Sequence, residues 1–120
     1  MDRALLKGGP AVVLRVDPRD GATGVFRDAA VVACLSHAAE VGSVGPETFR
    51  VEEDGGGLVP GWLCLSPDRA VVIWTARRLL TPDIEHVVTA DGLRDARGQA
   101  VVPYSSRFVP CDLVLNDVSE

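Results

Sequence analysis

The sequence is poor in basic residues and in long apolar runs. Its 120 residues hold 12 Lys and Arg against 17 Asp and Glu, a net charge of -5. Because proteins neutralise nucleic-acid phosphates with clustered Lys and Arg, this balance argues against nucleic acid as a partner. No apolar run approaches the roughly 20 residues needed to cross a bilayer, and the first ten residues lack the long apolar segment of a signal peptide. We therefore expect no transmembrane segment and no classical export signal in the chain as given.

Cysteine is scarce as well. Cys34, Cys64 and Cys111 are an odd number at wide spacing, unlike the dense, even set of a small secreted scaffold. Reduced thiols in a cytoplasm are the simpler interpretation, and the sequence leaves a single disulfide open.

Histidine is limited to His37 and His86, and no catalytic constellation is recognisable around either. Cys34 and His37 have a metal-like spacing, but a structural zinc site takes four ligands in two close pairs, and no second pair exists. Ser36 adjoins His37 without a Gly-x-Ser-x-Gly elbow, and we expect neighbours on one strand to point to opposite faces and share no hydrogen bond. We predict that the protein is not an enzyme and has no metal site or cofactor.

Acidic residues, in contrast, are abundant in or beside turns, where carboxylates sometimes gather around calcium. The acids so placed are Asp17, Asp20, Glu52, Glu53, Asp54, Asp91 and Asp95. Neither "DPRDG" nor "EEDGGG" has the alternating ligand spacing of a calcium loop. We interpret these acids as turn residues, whose side chains hydrogen-bond to the backbone, with a functional cation as the alternative.

Short Val-rich runs alternate with turn sequences along the whole chain. They cover residues 11–16, 29–36, 48–53, 58–66, 70–75, 84–90 and 106–110. The segments between them are rich in Gly, Pro and Asp, which favour turns. About seven strands at this spacing indicate an antiparallel sandwich or barrel. Only residues 36–44 have room for a helical turn or two, and Gly42 and Pro46 limit it.

The length suits one domain. We place it at residues 11–110, between a flexible N-terminal arm at residues 1–10 and a C-terminal tail at residues 111–120. With 47% hydrophobic and 24% charged residues, the composition is that of a globular protein able to bury a core.

Several motifs in fixed order resemble the bacterial Ig-like domain family typified by S-layer proteins. The order is "VDPRDGATGV", "VVACLS", "SVGPETFRV", "AVVIWTARRLLTPDIEHVV", "GLRDARGQAV" and "SRF", which spans most of the chain. Four positions depart from the family pattern: Leu35 stands for a Phe, Ala76 for a Pro, His86 for a Tyr and Gln99 for an Asn. The resemblance implies an all-β, Ig-like antiparallel β-sandwich of about seven strands in two sheets, and it implies no catalytic residues.

Within this fold two of the chemical candidates have structural roles. His86, at the family's Tyr position, is expected to reach a backbone carbonyl at a corner of the sandwich. Asp95 is expected to accept backbone N–H groups in the turn before the last strand, where Gly98 supplies a positive φ.

The alternation of the strands then predicts which side chains face outward. The resemblance places Leu35, Phe49, Trp74, Val88 and Phe108 in the core. By parity, one sheet directs apolar residues outward, and the first strand adds Val13 beside Arg15. The apolar outward positions are Val32, Cys34, Trp62, Cys64, Val71 and Ile73. The other sheet directs mostly polar residues outward: Arg50, Glu52, Glu85, Val87, Thr89, Ser105 and Arg107.

An apolar outer face that contains a Trp is unusual on a soluble monomer, and Trp is enriched where partners bury surface. We predict that this face docks on another protein or associates with itself. Two alternatives stay open: the arm or the tail covers the face, or one strand is shifted in register by one residue.

The sequence thus favours a non-catalytic structural or interaction module, an accessory subunit of a larger assembly. The alternative is an extracytoplasmic adhesion module that binds carbohydrate or calcium, with Trp62 and Tyr104 as the available sugar-stacking side chains. The compartment is left open: the resemblance suggests an extracytoplasmic or assembly-associated protein, whereas the missing signal and the odd cysteine count point inside the cell.

Overall fold

Nine strands in two stacked sheets form the protein, in a computed structural model that describes residues 9–115. The strands are β1 (Val13–Asp17), β2 (Ala22–Val25), β3 (Val31–Leu35), β4 (Phe49–Glu53), β5 (Gly57–Leu58), β6 (Gly61–Leu65), β7 (Val71–Ala76), β8 (His86–Ala90) and β9 (Tyr104–Pro110). One sheet has the order β1-β3-β7-β6 and the other β2-β9-β8-β4-β5. This is the all-β sandwich that the sequence predicts.

The core lies between the sheets and is made mainly by alternate residues of the longer strands, with added residues from the loops. In β3 and β7 buried and half-buried residues alternate, as expected for strands with one face toward a core. The five residues predicted to point inward are all buried: Leu35, Phe49, Trp74, Val88 and Phe108. The predicted inward register is therefore confirmed.

Two short strands are additions to the predicted set. β2 lies in a segment predicted to be a turn, and it pairs with β9 in parallel, from Ala22 opposite Phe108 to Val25 opposite Pro110. β5 and β6 divide the run of residues 58–66, because Pro60 lacks the N–H group that a continuous strand needs. The predicted helical turn is a single 3-10 turn at Val41–Ser43.

The expected outward position of Val13 is wrong. Val13 lies opposite Leu35 and packs against the core, whereas Arg15 lies opposite Cys34. Two residues of β1 therefore span one step of β3, which is a β-bulge at Leu14, and such an extra residue reverses the facing of the side chains before it. Leu14 is exposed as a result.

Gly61 allows the largest core side chain to pack. A Cβ atom at this position would overlap the indole ring of Trp74 on the neighbouring strand. The indole ring thus packs directly on the backbone of Gly61, and Trp74 of β7 covers the first residue of β6.

The predicted N-terminal arm and C-terminal tail fall partly outside the described residues, at positions 1–8 and 116–120. Within residues 9–115, no helix is both long enough and apolar enough to cross a membrane.

Candidate interaction surface

The six predicted partner-binding residues share one surface, the outer face of the β1-β3-β7-β6 sheet. We call this surface, made by Val32, Cys34, Trp62, Cys64, Val71 and Ile73, the outer face. It is arranged in rows across the strands: Val32 lies opposite Ile73, which lies opposite Cys64. Cys34 lies opposite Val71 in the next row. Neighbouring rows of apolar side chains therefore form one continuous patch.

Exposure confirms that the patch faces solvent within the described residues. Trp62 is 56% exposed and Cys64 is exposed, while the residues on the inner strands β3 and β7 are half-buried. Apolar surface on this sheet is therefore exposed to water. No other part of residues 9–115 covers it.

Polar groups border the patch on two sides. On β1, Arg15 and Asp17 lie opposite Cys34 and Val32. At the other border the Arg77 guanidinium lies over the Trp62 ring, 5.1 Å from its centre. One face of the indole is therefore occupied by a cation, an arrangement that stabilises both side chains and leaves the second face of the ring open.

The outer face of the other sheet is different. Its exposed charges form ion pairs, with 2.9 Å between Arg107 Nη1 and Glu85 Oε1 and 3.8 Å between Arg50 Nε and Glu52 Oε1. Val87 is the apolar exception on this surface. The asymmetry between the two sheets that the sequence predicts is present in the structure.

The two ends of the described chain, near residues 9 and 115, do not lie on the outer face. Residue 9 lies beside the turn before β9, where its carbonyl accepts a hydrogen bond from Arg97. Residues 111–115 continue past β9 along the segment before β3: the Cys111 N–H donates to the Val25 carbonyl, and the Leu115 N–H donates to Asp28. The part of the tail that is described therefore does not cover Trp62.

The three cysteines are free thiols. Cys34 and Cys64 are separated by β7, and since neighbouring strands lie about 4.8 Å apart, their Cα atoms are roughly 10 Å apart. That distance exceeds the roughly 7 Å limit for a disulfide. Both side chains contribute to the outer face as small, soft groups.

Asp95 has the structural role that the sequence predicts. It is 0% exposed, and its Oδ1 atom accepts the N–H groups of Arg97 and Gln99, each at 2.9 Å. Its Oδ2 atom lies 2.7 Å from Nη2 of Arg97. Burial opposes ionisation, but these hydrogen bonds outweigh it, and the pKa of Asp95 lies below its usual value. Gly98 has the expected positive φ of 88°.

A second polar cluster lies at one end of the sandwich around His86. This ring is fully buried, stacks on Phe108 and bonds through Nδ1 to the Ile84 carbonyl at 2.8 Å. The expected backbone partner is thereby confirmed. Glu53 lies nearby. The Thr81 hydroxyl donates a hydrogen bond to its carboxylate, and Arg78 donates a second one. These contacts, that of Thr81 first, hold the pKa of Glu53 below its usual value.

One expectation about Ser36 and His37 is wrong. The Ser36 hydroxyl lies 2.8 Å from Nδ1 of His37. β3 ends at Leu35, so both residues lie in a bend where the alternation of a strand no longer separates neighbours. The same hydroxyl oxygen accepts the Val12 N–H at 2.8 Å, which ties the bend to the segment before β1.

The acids considered for calcium are dispersed. Asp20 accepts the Arg107 N–H at 2.9 Å, while Glu53 and Asp95 have the partners given above. Across residues 9–115, no three His, Cys, Asp or Glu side chains come together in a group suited to a metal ion. The two proposed sugar platforms lie on different sheets, Trp62 on β6 and Tyr104 on β9.

A feature that the sequence analysis missed lies at the edge of the outer face. β6 ends its sheet, and two cavities open beside its inward side. One, of about 300 Å³, is lined by Val41, Val44, Leu63, Cys64, Leu65 and Arg69. The other, of about 230 Å³, is lined by Pro46, Phe49, Arg50, Leu58, Val59, Pro60, Gly61, Leu63, Trp74 and Arg77. The signal in the sequence was the uncharged run "PGWLCLSP".

Comparison with known proteins supports the fold. No protein-family model matches the sequence, and no curated protein matches it significantly. Among solved structures, the N-terminal part of the bacterial S-layer protein SbsC superposes with a TM-score of 0.70 and 13% identity, covering 92% of this chain and 26% of that one. CopC from Methylosinus trichosporium OB3b has a TM-score of 0.66 and 13% identity, covering 84% of this chain and 93% of that one.

An L,D-transpeptidase from Mycobacterium smegmatis also matches, with a TM-score of 0.59 and 16% identity over 86% of this chain and 41% of that one. The expected resemblance to Ig-like domains of S-layer proteins is thus present at the level of the fold. The chain spans about a quarter of the SbsC structure and less than half of the transpeptidase. The same sandwich therefore occurs as one unit within longer proteins.

Proposed function

We propose that this chain is a non-catalytic Ig-like module that associates with protein through its outer face, as an accessory subunit of a larger, extracytoplasmic assembly. The observation that carries the proposal is the contrast between the two sheets: one outer surface carries paired charges, and the other carries a continuous apolar patch with a 56% exposed Trp. Apolar patches of this kind mark surfaces that bury against a partner.

Trp62 and Ile73 are the two largest apolar side chains of the outer face. Removing apolar surface from water contributes about 25 cal/mol per Å². A large aromatic side chain near the middle of a contact is also the commonest type of interaction hot spot. Arg77 on one face of the indole holds the ring in place, so docking on the other face loses little side-chain entropy.

The comparisons support an architectural task. The S-layer protein SbsC and the L,D-transpeptidase contain this sandwich as part of a longer chain. A module that works beside other domains needs a surface for contact more than a pocket for chemistry. The partner of the present chain is, on this proposal, another protein of the same assembly or a further copy of the module.

A photo-crosslinking experiment tests the outer face. A photo-reactive amino acid placed at Ile73 in the full chain, expressed in its source, is expected to form a covalent adduct with a protein partner. The matched control carries the same group at Val87, which lies half-buried on the outer surface of the other sheet. Adducts at Val87 as abundant as those at Ile73, or none at either position, contradict the proposal.

A double variant separates interaction from folding. Trp62→Ser with Ile73→Ser is expected to abolish the adduct formed from a third position, Val32, and to leave a folded, monodisperse protein, because both side chains face outward. Thermal unfolding measures the fold. A large loss of stability with no change in crosslinking contradicts an interfacial role.

A further inference from the structure

We infer that the free edge of β6 pairs with β6 of a second copy of this chain, antiparallel, so that two four-stranded sheets join into one of eight strands. This inference concerns the edge of the sheet and goes beyond the proposed docking of its outer face. Either can hold without the other.

The backbone of β6 is available for such pairing. The Arg77 N–H donates to the Pro60 carbonyl and the Ser66 N–H to the Val71 carbonyl, at 2.9 and 3.0 Å. Because hydrogen-bonded residues alternate along an antiparallel ladder, residues 62 and 64 also bond to β7. The N–H and C=O groups of Gly61, Leu63 and Leu65 therefore point away from the sheet, toward a side where no strand of residues 9–115 lies.

The edge also lacks two of the devices that usually block such pairing, charged side chains and bulges. Natural edge strands carry charges, bulges or covering loops. From Gly61 to Leu65 the strand has no charged residue, and its pairing with β7 is regular. Pro60 and Pro67 limit its length, which favours a short, defined contact over indefinite aggregation.

The sequence of β6 is complementary to itself. When two copies are antiparallel with Leu63 opposite Leu63, Gly61 lies opposite Leu65 and Trp62 lies opposite Cys64 of the second copy. Leu65 and Trp62 thus each meet a small residue, and Leu63 meets its own copy. In this register Gly61, Leu63 and Leu65 of one copy form backbone hydrogen bonds with Leu65, Leu63 and Gly61 of the other. Every N–H and C=O group on the free edge of the strand is then paired.

The two cavities beside β6 accept the inward side chains of the added strand. Leu65 of the second copy lies next to Gly61, where the cavity lined by Leu58 and Trp74 opens. Leu63 of the second copy lies between this cavity and the one lined by Val41 and Val44. An added strand with apolar side chains at alternate positions is the occupant that both cavities suit, and β6 itself is such a strand.

Opposite charges meet locally at the two ends of the contact, although each chain carries a net charge of -5. The charged residues that line the cavities are all basic: Arg50, Arg69 and Arg77. In the antiparallel register Ser66 of one copy lies opposite Pro60 of the other, and the Pro60 carbonyl accepts the backbone N–H of Arg77. The turn that carries Asp68 of one copy therefore approaches Arg77 of the other, at both ends of the contact.

A disulfide experiment tests the register. Residues 62 and 64 of two copies form a non-hydrogen-bonded pair, whose Cα atoms lie about 4.5 Å apart, within the range for a disulfide. Trp62→Cys, with Cys34→Ser and Cys111→Ser and with Cys64 kept, is expected to form a covalent dimer under mild oxidation. The control Thr75→Cys, on the same face but one strand farther from the edge, is expected to remain monomeric on a non-reducing gel.

Sedimentation equilibrium tests the association without an engineered thiol. The wild-type chain is expected to shift with concentration from 12.7 kDa toward twice that mass. Leu63→Pro is expected to remain monomeric yet folded, because β6 is an edge strand and its Leu63 N–H points away from β7; the lost leucine side chain lowers stability, and Leu63→Ala, which keeps the N–H group, is the matched control. Circular dichroism checks the fold of this variant.

The possible outcomes are distinct. A wild-type monomer up to roughly millimolar concentration, with no covalent dimer of the Trp62→Cys variant, overturns the inference. A dimer that Leu63→Pro preserves but the single substitution Ile73→Ser abolishes also overturns it, and supports self-association through the outer face instead. A covalent dimer specific to Trp62→Cys supports edge pairing whether or not the outer face has a partner.

Discussion

At the scale of single residues, Asp95 is a buried charge that the fold needs in ionised form. Its carboxylate holds the turn of residues 92–101 by accepting two backbone N–H groups and pairing with Arg97. The same turn is joined to the bend after β3, where the Ala96 N–H donates to the Ala38 carbonyl. An acid that resembles a catalytic or cation-binding residue in the sequence therefore stabilises a turn that connects distant segments of the chain.

Asp95→Asn is expected to lower the free energy of unfolding at neutral pH by about 2 kcal/mol, since it removes charge-assisted hydrogen bonds to a buried carboxylate. The folded-state pKa of Asp95 lies below its unfolded value of about 3.9. Its stabilising contribution is therefore complete above about pH 4 and is lost as the pH falls through the lower, folded-state pKa. Urea unfolding of both proteins from pH 7 down to pH 3 should show a difference that shrinks below pH 4. A difference in unfolding free energy that stays constant from pH 7 to pH 3 would show that the charge of Asp95 does not contribute to stability.

Gly61 gives a second test at a single position. Gly61→Ala places a methyl group against the Trp74 indole and is expected to cost about 2 kcal/mol through overpacking. Gly45→Ala is the matched control, because a Cβ atom there meets nothing within 4 Å and its φ is not positive. Chemical denaturation, with Trp fluorescence as the signal, measures both. Equal effects of the two substitutions would refute the packing role.

At the scale of elements, β2 depends on its turn with β1 for its place beside β9. The Asp20 side chain accepts the Arg107 N–H, and the Gly21 N–H donates to the Arg107 carbonyl at 2.7 Å. Asp20→Ala removes the first of these and is expected to cost about 1 kcal/mol. Asp54→Ala, in an exposed turn of the same sheet, serves as control. Hydrogen exchange should become faster at the Arg107 amide in the first variant only.

The sequence predicts the long strands well and the short ones poorly, for a physical reason. β3 and β7 are runs of Val, Ala and Ile whose alternating burial follows from the need to cover a core. β2 contains Gly24 and has few apolar residues, so its strand geometry comes from pairing with β9, a contact distant in sequence. Local pattern carries no information on such a partner.

The same distinction applies to the candidate site. The outer face follows from parity once the core register is known, and five residues of the core fix that register. The position of Val13 does not follow, because a bulge adds one residue and reverses the parity before it. The cavities beside β6 are formed by segments such as residues 41–44 and 58–60, whose meeting depends on the whole fold.

At the scale of the whole molecule, the parallel pairing of β2 with β9 has a mechanical consequence. When a module within a longer assembly is pulled from both sides, the tension reaches its first and last strands. The first strand, β1, leads directly into β2, and β2 and β9 run in the same direction, so a pull transmitted through β1 loads the hydrogen bonds between β2 and β9 in shear. The bridge between Ala11 and Val101, also parallel, is loaded in the same way. Bonds that share a load rupture at higher force than bonds that open one after another, so we expect this pairing to resist unfolding under tension.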